Sequence, residues 1–178
     1  LCLDWVSAAD SRAGESPVLQ VPLADSVPVV DGKLDEPCWK DAAKTGRLAV
    51  TSGKPSKAAS KVATEAFIFR HAETLYIGIS CTGNDVVAGK VKPSKEVESV
   101  DLLLDSNRDQ TSFYLVRITL EADGTVTSSY NEAEPPWHDR TWQPPLESAV
   151  AKSPDGWQIE LALPLGIFNK NKTLASEM

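Results

Sequence analysis

Two strand-borne charges, two tryptophans in a loop and a carboxylate-rich turn are the parts of this sequence equipped for chemistry. Asp101 lies in SVDLLLD (99–105) and Arg117 in TSFYLVRITL (111–120), each interrupting apolar sequence. Joined by a turn near 106–110, these strands run antiparallel, and facing residues sum to about 216–218, so Asp101 stands opposite or diagonal to Arg117 on one face. A carboxylate and a guanidinium so placed bridge adjacent hydroxyls of a ligand, or they form a simple ion pair on a wet face. The loop NEAEPPWHDRTWQPP carries Trp137 and Trp142, with His138, Asp139 and Arg140 between them. Flat aromatics held out by a rigid frame cover the apolar C–H face of a sugar ring; folded back, they cover a sheet edge instead. Trp137, Trp142, Asp101, Arg117 and His138 are therefore the candidate ligand-binding residues. In DSNRDQ, Asp105, Asn107 and Asp109 have the spacing that begins a calcium loop, but Gln110 and Val116 stand where an EF-hand needs Gly and Glu. That excludes an EF-hand and leaves a looser structural Ca2+ site or a solvated turn.

Other chemistries find little support. The two histidines, His71 and His138, have no metal-ligand spacing around them, and neither a G-x-S-x-G elbow nor a phosphate-cradling glycine loop is present. No catalytic residue is assigned. Three cysteines (Cys2, Cys38, Cys81) match no zinc pattern and allow at most one bridge; a Cys38–Cys81 pair is one option, unpaired thiols the other. With net charge −7 and no cluster of Lys and Arg, the chain has no basic face for phosphates, so neither nucleic acid nor an anionic membrane surface is an expected partner. No apolar run reaches the roughly 18–20 residues that span a bilayer. LCLDWVSA has neither a basic leader nor a small-residue cleavage site.

The elements that must position these residues read as strands. Paired runs at 62–70 and 74–80, at 99–105 and 111–120, at 125–130, and at LESAVAKS and WQIELALP are separated by turns, Asp123-Gly124 and Pro154-Asp155-Gly156 among them. Residues 18–30, broken by Pro22 and Pro28, suit an edge strand. Near VVDGKLDEPCWKDA (29–42), Asp35 caps a short helix, Pro37 fits its first turn, and Trp39, Ala42 and Ala43 share a face. Without helix–strand alternation the fold class is all-β: an antiparallel β-sandwich of about eight or nine strands with one short helical turn. Residues 1–17 read as a loosely ordered lead-in and 18–178 as a single β-sandwich domain.

The stretches VVDGKLDEPCWKDA, ETLYIGISC, SVDLLLDSNRDQ, EADGTV and DGWQIELALP, in this order over roughly residues 25–168, resemble carbohydrate-binding module family 9 and its relatives. The resemblance implies an immunoglobulin-like β-sandwich without catalytic activity, accompanying secreted or surface glycan-degrading enzymes and in some members binding calcium. It implies carbohydrate as partner, a catalytic domain attached in a larger protein, and an extracellular, periplasmic or cell-surface location. It assigns Trp39 and Trp157 to the core, in agreement with their phase among apolar neighbours. It places Asp101 and Arg117 where sugar-binding members contact hydroxyls. Two departures accompany it. Those members sandwich the sugar between two tryptophans: one precedes the strand SVDLLLD, where this chain has Lys95, Glu96 and Val97, and the other lies beyond the end of this sequence. LGIFNKNKTLASEM also offers no clear version of the family's final strand, so either that strand is truncated or the binding site has been rebuilt. Two alternatives stay open: a structural spacer in a larger secreted enzyme, and a haem carrier, against which stands a single methionine, Met178.

Overall fold

The computed structural model describes residues 2–4, 18–48, 63–82, 99–120, 125–132, 138–153 and 156–169. Among them are eleven strands: β1 (Cys2–Asp4), β2 (Val18–Gln20), β3 (Ala43–Arg47), β4 (Ala63–His71), β5 (Thr74–Thr82), β6 (Ser99–Leu104), β7 (Ser112–Thr119), β8 (Val126–Glu132), β9 (His138–Asp139), β10 (Glu147–Ser153) and β11 (Gly156–Pro164). Three of these, β1, β3 and β9, are short additions to the strands read from sequence. β1 pairs with β2, within and beside the stretch expected as a lead-in. The other nine strands form two antiparallel sheets, ordered β10-β11-β5-β4-β3 and β6-β7-β8-β9. The turns at Asp123-Gly124 and Pro154-Asp155 lie outside the described residues, but the strands flanking each pair as hairpins.

Alternation decides which side chains meet between the sheets. Leu75, Ile77 and Ile79 of β5, Ile159, Leu161 and Leu163 of β11, and Tyr114, Val116 and Ile118 of β7 are buried in one cluster. Period-two burial from both sheets in one core makes the molecule an antiparallel β-sandwich. Trp157 is half-buried against the same cluster, with the Lys152 ammonium 5.3 Å from its ring centre.

The five-stranded sheet is also covered on its other face. Trp39, Cys38, Ala42 and Phe69 form a second buried cluster there, joined by Leu34, Phe67 and Tyr76. Trp39 meets Phe69 edge-on at 4.9 Å, and Phe69 stacks on Tyr76 at 5.0 Å. Gly78 makes room for this lid: a Cβ there would stand 2.6 Å from Leu34 Cδ2 and 2.9 Å from Trp39 Cζ3. Trp39 is thus a core residue, as expected.

Local details differ from the sequence reading. The helical turn is one turn of 3₁₀ helix, Pro37–Trp39, with Glu36 rather than Asp35 at the N-cap position and no side-chain cap bond; the Glu36 carboxylate accepts from Val29 N at 3.1 Å instead. A second 3₁₀ segment spans Leu165–Asn169. Of residues 18–30 only Val18–Gln20 is a strand, followed by an isolated bridge from Leu23 to Arg70; Val27 and Val29 are exposed. Pro22 and Pro28 lack the N–H donors a continuous edge would need. No disulfide joins Cys38 to Cys81, and burial raises the Cys38 pKa.

Candidate functional site

The site begins with the turn between β6 and β7. Asp105 accepts from the backbone N–H groups of Arg108 at 2.7 Å and Gln110 at 2.9 Å. Asp109 accepts from the N–H groups of Thr111 and Ser112, each at 2.7 Å, from the Ser112 hydroxyl at 2.8 Å and from the Asn107 amide at 2.7 Å. These bonds hold Arg108 and Gln110 at φ of 61° and 59°, a left-handed backbone that costs a non-glycine residue energy. The N–H donors hold the Asp109 carboxyl far below the usual carboxylate range. The three residues expected at a looser calcium site therefore direct their oxygens at the turn's own donors, and no group of three or more His, Cys, Asp or Glu able to hold a metal ion is found among the described residues.

A fixed turn fixes the register, and the register builds the pair. Asp101 lies directly opposite Arg117. Arg117 donates from Nε to Asp101 Oδ1 at 2.7 Å and from Nη2 to Oδ2 at 2.6 Å, a two-pronged grip between side chains that are 50% and 33% exposed. The Arg117 hydrogen bonds hold the Asp101 carboxyl below its ordinary value, and Asp101 raises Arg117 in turn. Alternation puts the pair on the outer face: Val100, Leu102 and Leu104 of β6 pack on the central core, whereas Asp101 and Leu103 face away from it. Thr127 of β8, opposite Arg117, is exposed on the same face.

The expected aromatic plates do not join this pair. Trp142 is only 8% exposed and belongs to the central core, its ring 4.8 Å from that of Tyr114, while its carbonyl accepts from the Ser128 hydroxyl at 3.0 Å. Tyr114 and Ser128 belong to the inward rows of β7 and β8, so the indole sits on the opposite side of the sheet from Asp101 and Arg117. The expectation of an exposed Trp142 fails because the indole packs in the core beside Tyr114 instead. Trp137 lies outside the described residues, as do Lys95, Glu96, Val97 and Met178. The backbone of His138 pairs with Asn131 in β9, at the edge of the four-stranded sheet.

Glu160 was not singled out from the sequence. Its carboxylate has no exposed surface, yet it sits in β11 on the lid side of the five-stranded sheet. One oxygen accepts from the N–H groups of Asp31 at 2.7 Å and Gly32 at 2.8 Å; the other accepts from the Trp39 indole N–H at 3.0 Å. Burial nevertheless outweighs these three donors and raises its pKa. The signal was an acid within the apolar run IELALP and a tryptophan whose N–H needs an acceptor once buried. Its place is structural: it ties the lid to the sheet.

No protein-family model and no curated protein sequence matches the chain. Among solved structures it is similar to a carbohydrate binding module family 9 from Caldicellulosiruptor kristjanssonii in complex with cellotriose, at 14% identity and a TM-score of 0.50, over 82% of this chain and 67% of that one. It is also similar to a module of the same family and organism in complex with glucose, at 16% identity and a TM-score of 0.52, over 80% and 66%. The chain thus spans about two thirds of the length of those structures. At such identities the likeness is one of fold, and it agrees with the sandwich expected from the sequence motifs.

Proposed function

We propose that this chain is a non-catalytic module that binds carbohydrate on the outer face of its four-stranded sheet, with Asp101 and Arg117 gripping the sugar hydroxyls. The observation that carries this reading is the two-pronged, solvent-facing pair itself. Among the described residues, Arg117 keeps unused N–H donors and Asp101 keeps unused lone pairs, so the pair offers a fixed row of donors and acceptors to adjacent hydroxyls. Two structures of the same fold were solved with cellotriose and with glucose, which supports the choice of ligand class. The module serves as an accessory of a larger glycan-active protein outside the cytoplasm, delivering an attached catalytic domain to a chain end or short oligosaccharide.

A second reading, a structural spacer, draws on the burial of Trp142, which removes one of the two aromatics expected to grip a ligand. A glycan array probed with the whole chain separates the two. Binding that disappears in Asp101→Ala/Arg117→Ala, with an unchanged melting temperature, is the expected result. No retention on any glycan, or retention that the double variant leaves intact, would favour the spacer.

A further inference from the structure

The face that carries the ion pair also carries an apolar step beside it. Leu103 stands opposite Leu115, two residues along each strand from Asp101 and Arg117. Residues two apart on a strand share a face and lie about 7 Å from each other. Leu103 is 60% exposed and Leu115 half-buried, and neither belongs to the hydrophobic clusters on the two faces of the five-stranded sheet. Leu103 stands on the edge strand β6, beside the fixed charged pair, and packs in neither cluster.

We infer that Leu103 and Leu115 form an aliphatic platform on which the C–H face of one uncharged pyranose ring rests, while Asp101 and Arg117 hold the hydroxyls at its edge. The inference rests on the carbohydrate-binding reading above and adds the surface that decides which sugar fits. A ring with equatorial hydroxyls presents flat C–H faces, and aliphatic carbons cover such a face without the π-surface of an indole. The charge on the ligand follows from the pair. Arg117 is neutralised by the carboxylate bound to it, so an anionic sugar would meet Asp101 as well as Arg117, on a chain of net charge −7. An uncharged ring suffers no such repulsion.

Titration calorimetry of the 178-residue chain tests this, with cellotriose as the neutral probe and an oligogalacturonide of equal length as the acidic one. The wild type is expected to bind cellotriose at least about tenfold more tightly than the acidic probe. Leu103→Ser removes exposed surface only; it should keep the wild-type melting temperature while weakening cellotriose binding about tenfold, and Leu103→Trp should bind at least as tightly as wild type. If Leu103→Ser binds like wild type while Asp101→Ala/Arg117→Ala does not bind, the platform is wrong and the binding site stands. Equal or tighter binding of the acidic probe overturns the assignment to an uncharged ring. If the wild type retains no glycan, the reading beneath both claims falls.

Discussion

A carboxylate with no exposed surface is tolerable only when its lone pairs are met, and Glu160 meets the Asp31, Gly32 and Trp39 donors. Glu160→Gln replaces one acceptor oxygen by an NH2 group, so either the Trp39 indole or the Asp31–Gly32 amides face a donor. The expected cost is about 1–3 kcal/mol, read by denaturant titration at neutral pH. The raised pKa adds a signature. In the folded state the group takes up its proton more readily than its ordinary value of 4.5 allows. Its contribution is therefore greatest below that value and declines as pH rises through the raised one. The stability of wild type relative to Glu160→Gln should fall over that window; a flat difference would contradict the assignment. Asp101 has the opposite sign. Its pKa is lowered from 3.8, so the pair contributes above that value and is lost only as pH falls through the depressed one. Sugar binding should accordingly be level from neutral pH down to about 5 and fail only in stronger acid.

At the scale of elements, the β6–β7 hairpin was the most legible part of the chain. Its alternation and turn length were enough to set Asp101 opposite or diagonal to Arg117 on one face, since a one-residue slip would turn the side chain to the other face, and the structure makes the pairing direct. The loop before β10 was least legible. Proline stiffness and two tryptophans describe a loop that holds its aromatics out equally well as one that folds them in, and only Tyr114, distant in sequence, decides the matter. Trp142→Ala should therefore destabilise by about 3–5 kcal/mol, close to the effect of Trp39→Ala, in chemical denaturation. A melting temperature unchanged by that substitution would restore the exposed plate. The lid was half legible: Trp39 was readable as core, but its partner was not, since period two puts Glu160 on the face away from Ile159 and Leu161. Burial on that face comes from a segment early in the chain. Gly78 is its most sensitive contact, and Gly78→Val should loosen the lid, seen as faster hydrogen exchange at the Asp31 and Gly32 amides.

For the whole molecule, the layering leaves one sheet face uncovered by either hydrophobic cluster among the described residues. The five-stranded sheet is covered on one side by the other sheet and on the other by the Trp39 lid. The four-stranded sheet has its inner face in the core and presents Asp101, Leu103, Arg117 and Thr127 outward. On the proposed reading the two sheets have different duties, stability on one and recognition on the other. Because the proposed recognition face is charged but internally compensated, affinity for a neutral glycan should change by less than about twofold between about 0.05 and 0.5 M salt. A steep loss with salt would indicate an ionic ligand.

The bond from Trp39 to Glu160 spans 121 positions, and that from Asp31 spans 129. During synthesis on the ribosome, the early segment waits for its acceptor until almost the entire domain has emerged. β11, which carries that acceptor, also occupies the place between β10 and β5. Nascent chains halted before β11 should lack the lid, leave the Trp39 ring open to chaperones, and be digested by protease well before the completed protein.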